Sequence, residues 1–257
     1  MKRLHLCELE DQSWFPATIR DLATDYLHFM QTALKVDGAL VPLVEQAIRD
    51  SGARQIIDLC SGGSGPVPLL VERLAARGVP VTATLTDLYP NVAAFEAIAT
   101  ATDRRVTFVP DSIDARAVPA TLPGLRTIFN GFHHLKPEDA RAVLHAAAAA
   151  RQPIAIFELS ERSVGHILGV SLVPLIVWLT TPFMRPFRWT RLLWTYLIPL
   201  VPLTCLWDGV VSQLRAYTLS ELHALTEGSR PMRWDVGRVP VAQGRGRLTY
   251  LIGVPVP

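Results

Sequence analysis

QIIDLCSGGSGPVPLLVERLAARGVPVTATLTD, residues 55–87, changes its hydrophobic period several times within one short stretch. Gln55–Cys60 is a β-rich run, SGGSG is a glycine-rich turn, Val67–Arg77 reads as a helix stopped by Gly78, and Val81–Thr86 is a second strand ending at Asp87. The strand, glycine turn, helix and strand in this order form a parallel β-α-β unit.

Working outward, the same alternation continues. A helix is predicted over Val92–Ala101, strands over Val106–Val109, Leu125–Phe129 and Pro153–Leu159, and an alanine-rich helix opening at Pro137 with Glu138 and Asp139 in its first turn. Two late strands, Met232–Val241 and Leu248–Val254, are joined by AQGRGR as an edge hairpin, after a short helix over Ser220–Thr226. Upstream, Pro16–Asp50 reads as two helices broken near Asp37–Gly38. The expected fold is α/β and doubly wound: a mainly parallel seven-stranded sheet with a C-terminal antiparallel hairpin, an N-terminal helical lid and an apolar helical insertion. A single domain is expected, with the lid over 1–50, the ligand-binding core over 51–161, the insertion over 162–209 and the sheet completed by 210–257.

Chemistry belongs in the turn after the first strand. Gly62, Gly63 and Gly65 lack a Cβ, so the backbone can bend sharply and approach a ligand. Pro66 suits the first turn of the next helix, whose positive end faces the crevice at the carboxyl ends of the strands. Asp87, closing the second strand, stands where an acid accepts both hydroxyls of a ribose. The loop has no phosphate-binding lysine of the GxxxxGK[ST] kind, which disfavours nucleoside triphosphate hydrolysis. Nor is it a GxGxxG, because no third glycine follows Gly63 and Gly65 at the spacing a dinucleotide binder carries.

IIDLCSGGSGP resembles motif I of class I S-adenosylmethionine (SAM)-dependent methyltransferases, and LTDLYPN resembles their second motif. VPDSIDA and FNGFHHLKPEDA extend the likeness, which covers roughly residues 50 to 160. The resemblance implies SAM as cofactor. Asp58 would orient the loop and meet the cationic methionine end, with Cys60, Ser61, Gly62, Gly63 and Gly65 lining the amino acid moiety. Asp87 and Leu88 would hold the ribose, Asp111, Ser112 and Ile113 the adenine, and Asn130 and Gly131 would lie beside the sulfonium. Cys60 and Ser61 depart from the family pattern, which often has glycine there.

His133 and His134 follow the fourth strand, where either could take a proton from an attacking oxygen or nitrogen, or could serve the loop as packing and hydrogen-bonding groups. Because SAM supplies a reactive sulfonium carbon, positioning can suffice without a base. Glu158, at the end of the fifth strand, reads as structural or catalytic. Candidate acceptor contacts are Trp14, Phe15, Tyr26, His134, Trp178 and Arg215; the first three belong to the lid, whose bland alternative is packing. Asp208 and Arg215 either pair with each other or orient a polar acceptor group.

Hydrophobic residues make up 49% of the chain and charged ones only 19%, and the apolar excess collects in Ile167–Trp207. ILGVSLVPLIVWLTTPFM and LLWTYLIPLVPLTCLW are uncharged and flank RPFRWTR. This segment fits a peripheral membrane-docking hairpin, a spanning hairpin, a soluble cap over a lipophilic pocket, or a homodimer interface.

A formal net charge of +2 with mixed signs offers no basic stripe, so nucleic acid is not an expected partner. Cys7, Cys60 and Cys205 are too scattered for a disulfide framework or a metal site, which suits a reducing cytoplasm, at the inner face of the membrane if the insertion docks. Glu8, Glu10 and Asp11 interrupt the basic start before any apolar region, unlike a secretory signal. The reading is a methyltransferase acting on oxygen, nitrogen or carbon of a small lipophilic acceptor. A nicotinamide-dependent oxidoreductase and a non-catalytic SAM-binding or membrane-associated protein are the rivals.

Overall fold

Short apolar runs with no polar face must be covered on both sides, and five of them are. In a computed structural model they become β1 (Gln55–Asp58), β2 (Thr82–Leu85), β3 (Val106–Phe108), β4 (Leu125–Phe129) and β5 (Ile154–Glu158), all paired in parallel. β6 (Met232–Val241) and β7 (Gly246–Pro255) form the antiparallel hairpin, and β7 pairs antiparallel with β5. The seven strands lie in the order β3-β2-β1-β4-β5-β7-β6, so the expected doubly wound sheet is present. The structure describes residues 1–63, 65–241, 244 and 246–256; Ser64 of the glycine turn and Ala242, Gln243 and Arg245 of the hairpin loop lie outside the described residues.

The chain divides into two compact units. The sheet unit comprises 35–159 and 219–257. Its helices are α2 (Asp37–Ser51), α3 (Val67–Ala76), α4 (Val92–Ala101) and α5 (Pro137–Ala149), with α10 (Leu219–Thr226) packing on α5 and β6. Leu40, Val41, Val44, Ala47 and Ile48 recur at helical spacing on α2 and are buried there, where the helix packs on α3 and β7. α4 is capped by the Asn91 side chain, which accepts from the Ala94 amide at 3.2 Å.

The helical unit comprises 1–34 and 160–218. It contains α1 (Ala17–Ala33), α6 (Val164–Val170), α7 (Val173–Thr180), α8 (Trp189–Leu192) and, after one π-helical turn at Leu193–Leu197, α9 (Leu200–Arg215). Ile19, Leu22, Ala23 and Tyr26 of α1 share its core with Val177, Met184, Val201 and Cys205. The buried Arg191 guanidinium donates to Asp25 at 2.7 Å and to the Pro186 carbonyl at 2.9 Å.

Three expectations are corrected here. The helix break falls at residues 34–36, and Asp37 and Gly38 open α2 instead of separating the helices. The N-terminal pair does not act as one lid element: α1 packs within the helical unit and α2 within the sheet unit, because their apolar stripes meet different partners. Asp208 and Arg215 do not pair with each other. They stand seven positions apart on α9, about 10 Å of helix rise. Asp208 instead accepts the amides of Leu9 at 2.6 Å and Glu10 at 3.1 Å, and Arg215 binds Glu8 at 3.2 Å, Asp11 at 3.0 Å and the Leu6 carbonyl at 2.7 Å.

Candidate functional site at the carboxyl edge of the sheet

The carboxyl ends of β1, β2, β4 and β5 collect the polar groups of the sheet unit. Asp58 ends β1 and is buried; its two carboxylate oxygens accept from Ser61 Oγ at 2.7 Å and Thr127 Oγ1 at 2.6 Å. Ser61 Oγ also accepts the Thr86 amide at 3.2 Å, and Thr86 Oγ1 donates to the Asp58 carbonyl at 2.8 Å. The base of the loop is thereby fixed to β1, β2 and β4 together. Burial pushes the Asp58 carboxyl up to about 7, against the lowering effect of the Thr127 and Ser61 hydroxyls and with a further upward push from the Asp87 charge.

Among its described residues the turn runs left-handed at Cys60 (φ 57°), Gly62 (φ 51°) and Gly65 (φ 50°). Gly62 and Gly65 adopt this freely; Cys60 does so at a steric cost. The departure from glycine noted at this position is therefore strain held by its surroundings. Burial and the nearby carboxylates, Asp87 first, push the Cys60 thiol up to about 12, so it is no activated nucleophile.

Asp87 sits just past β2. Its Oδ2 accepts the Gly62 amide at 2.9 Å and its Oδ1 accepts the Tyr89 amide at 2.8 Å. Each oxygen keeps a lone pair for a ligand. Ser112 Oγ donates to the Leu88 carbonyl at 2.7 Å and the Ile113 amide to the Asp87 carbonyl at 2.9 Å, so the segment after β3 is tied to the end of β2. Asp111, Ser112 and Leu88 are exposed there. Asn130 (φ 51°) ends β4, with its Oδ1 accepting the Leu159 amide at 2.8 Å. A Cβ on Gly131 would stand 3.4 Å from that of Cys60, so the two loops approach closely here.

His133 and His134 follow on a 3₁₀ turn with ring centroids 4.3 Å apart. His133 Nδ1 lies 2.6 Å from Glu158 Oε2, while Glu158 Oε1 accepts the Phe132 and His133 amides at 2.7 and 3.2 Å. Burial raises the Glu158 carboxyl, but the His133 ring, the His134 charge and the Phe132 amide outweigh it and hold the group below its ordinary value. A carboxylate has no proton to give, so the hydrogen of the Glu158–His133 bond is carried by Nδ1. Glu158 thus holds His133 in place.

The sheet unit therefore gathers Asp58, Cys60, Ser61, Gly62, Gly63, Gly65, Asp87, Leu88, Asp111, Ser112, Ile113, Asn130, Gly131, His133 and His134 around one edge. The remaining acceptor candidates belong to the helical unit. Tyr26 is buried in its core, with burial and Cys205 raising its hydroxyl; Phe15 packs against that core; Trp14 is exposed. Trp178 Nε1 donates to the Thr195 carbonyl at 3.1 Å, and Arg215 is engaged with the N-terminal segment. Thr127 and Thr86 were missed in the sequence. A threonine in a strand is ordinary β-former material, and only the register Asp58↔Thr127 reveals its task.

No family model matches the chain, and a search of curated proteins finds no relative. Solved structures do match. The plantazolicin methyltransferase BpumL in complex with SAH is 13% identical with a TM-score of 0.60, covering 96% of this chain and 94% of that one. The O-methyltransferase NcsB1 from neocarzinostatin biosynthesis, solved with SAM and 2-hydroxy-5-methyl naphthoic acid, is 14% identical with a TM-score of 0.54, covering 93% and 59%. The chain spans little more than half the length of several structures it matches, 58% for an O-methyltransferase family protein from Burkholderia thailandensis. At these identities the likeness is one of fold, and the fold is the class I methyltransferase α/β sheet.

Proposed function

We propose that the chain is a SAM-dependent methyltransferase that methylates an oxygen, nitrogen or carbon of a small, lipophilic acceptor. The observation that carries this reading is the pair of carboxylates around the glycine turn, Asp58 locked beneath it and Asp87 gripping the Gly62 amide. Two carboxylates favour a cation and hydroxyl groups and repel a pyrophosphate. α3 points the same way: its N-cap is Pro66 and its second residue Pro68, so two amide hydrogens that would bind phosphate are absent. A nicotinamide dinucleotide is disfavoured on both counts.

On this reading Asp87 receives the ribose hydroxyls, Leu88, Asp111, Ser112 and Ile113 border the adenine, and Asn130 and Gly131 border the sulfonium. Asp58, with the loop from Cys60 to Gly65, holds the methionine end. SAM supplies an electrophilic methyl carbon, and the protein's part is to orient it and exclude water. His133, held by Glu158, and His134, its ring tilted beside it, are the candidate proton acceptors. An aromatic acceptor of the kind seen in NcsB1 is consistent with the apolar character of the chain. Three unbridged cysteines suit a cytoplasmic setting.

Isothermal titration with SAM and with its demethylated product tests the assignment. Asp87→Ala should weaken both by at least about a hundred-fold, the combined worth of two hydrogen bonds to a charged group. Unchanged affinity in that variant, or binding of NADPH in place of SAM, would sink the reading.

A further inference from the structure

From Ser163 to Trp207 the sequence has no aspartate or glutamate, and its only charges at neutral pH are Arg185, Arg188 and Arg191. Within it Val164–Phe183 is long and apolar enough to cross a bilayer, yet only 11% of its most apolar window is buried. Val164, Leu168, Leu172, Leu175, Leu179 and Phe183 are all exposed, from 54% to 72%. Their spacing of three and four residues places them on one helical face. A second exposed row, Leu197, Leu200, Leu203 and Trp207, runs along the start of α9.

The two rows meet. Trp178 on α7 and Tyr196 in the π-helical turn have ring centroids 5.7 Å apart, and the Tyr196 hydroxyl donates to the Trp178 carbonyl at 2.6 Å. Between the rows the chain turns through Phe183, Arg185, Phe187, Arg188 and Trp189, every one exposed, with the Phe187 and Trp189 rings edge to face at 5.0 Å. The opposite side of α7 and α9 is occupied by α1, whose outward residues Asp21, Thr24 and His28 are polar and exposed.

We propose that residues 164–207 dock on an anionic lipid surface, lying in the plane of one leaflet, with the joined apolar rows among the acyl chains and Arg185, Arg188 and Trp189 among the headgroups. The charge pattern selects this occupant. A segment with no carboxylate of its own, carrying exposed Arg185, Arg188 and Trp189 at its apex, matches negatively charged headgroups over an apolar interior; the Asp25 carboxylate of α1 beside it is held by the buried Arg191 at 2.7 Å and stands 3.5 Å from Arg188. Crossing the bilayer does not fit. Arg185 and Arg188 at the apex would have to reach the far side, and α1 ties the other face of α7 and α9 to water. The inference concerns the helical unit alone and does not depend on methyl transfer.

Flotation of the full chain with phosphatidylcholine vesicles, and with phosphatidylcholine containing phosphatidylglycerol, is the test. Binding to the anionic vesicles, weakened by salt, is expected. Arg185→Gln with Arg188→Gln should weaken it about 25-fold, since each basic side chain at a headgroup surface contributes about five-fold. Leu175→Ser with Leu179→Ser should abolish it while the circular dichroism melting curve stays unchanged, both side chains being exposed. Protein that stays in the dense fraction with both vesicle types overturns the proposal. So does a sedimenting dimer that Leu175→Glu dissociates in the absence of flotation, which would make the occupant a second copy. Resistance to extraction at alkaline pH would replace docking by insertion, and equal flotation on both vesicle types would remove the headgroup argument.

Discussion

The sheet unit and the helical unit use the same kinds of residue to opposite ends. Leu74, Leu85, Phe95 and Phe132 in the former are 0% exposed, whereas Phe183, Trp189 and Leu197 in the latter are 72% to 76% exposed. In the sheet unit each apolar run is matched by a neighbouring strand or helix of the same unit. The helical unit buries one stripe around Tyr26 and leaves another outside. Apolar sequence therefore means core only where enough of the same unit surrounds it; elsewhere it is left at the surface.

The contrast can be broken by substitution. Leu74→Ala should cost about 3 kcal/mol in chemical denaturation, the usual range for emptying a tightly packed site. If it unfolds no more easily than wild type, the sheet unit is not the close-packed partner in the comparison. Glu158→Gln should cost about 2 kcal/mol, because the replacement keeps the shape but loses the charge that binds the His133 ring and two amides. A methyltransferase assay on that variant should also fall, by misplacing His133.

Protonation separates two carboxylates on the same edge of the sheet, at the ends of β1 and β5. Asp58 has a folded-state value raised from 3.8 to about 7, so its stabilising contribution is present below 3.8 and lost as the pH rises through about 7. Glu158 is lowered from 4.5, so its contribution is present above that value and lost as the pH falls below it. If Asp58 must ionise to meet a cationic ligand, SAM affinity should strengthen as the pH rises toward about 7, by up to about ten-fold per unit, and Asp58→Asn should flatten the profile. A flat wild-type profile would remove Asp58 from the ligand. The smallest effect belongs to the helical unit: Leu175→Ala should change stability by less than about 0.5 kcal/mol, as for other exposed positions.

Much of the sheet unit was legible in advance because its signals are local. The period changes at 55–87, the proline at 137 and the glycine turn each act within a few residues, and the bounds of α4 and β4 agree with the expected ones. The edge residues from Asp58 to Gly131 were legible through motif likeness. Illegible were the pairings that depend on three-dimensional register: Thr127 on Asp58, Glu158 on His133, and the N-terminal segment on Asp208 and Arg215. Residues separated by dozens to hundreds of positions leave no periodic trace. The assignment of α1 and α2 to different units failed to show for the same reason, since both helices are amphipathic and the pattern does not name the partner.

The position of β7 has a consequence for how the molecule is made. Seventh in the chain, it nonetheless lies inside the sheet, with Glu158 of β5 facing Thr249 of β7 about 90 residues later. During synthesis the edge of β5 stays open while the whole of 160–218 emerges, apolar rows included. A nascent chain with an unpaired strand edge beside exposed leucines is a target for chaperones. Closing the sheet by its last hairpin is thus a late, long-range event, and until that closure the exposed apolar rows are open to another unfinished chain.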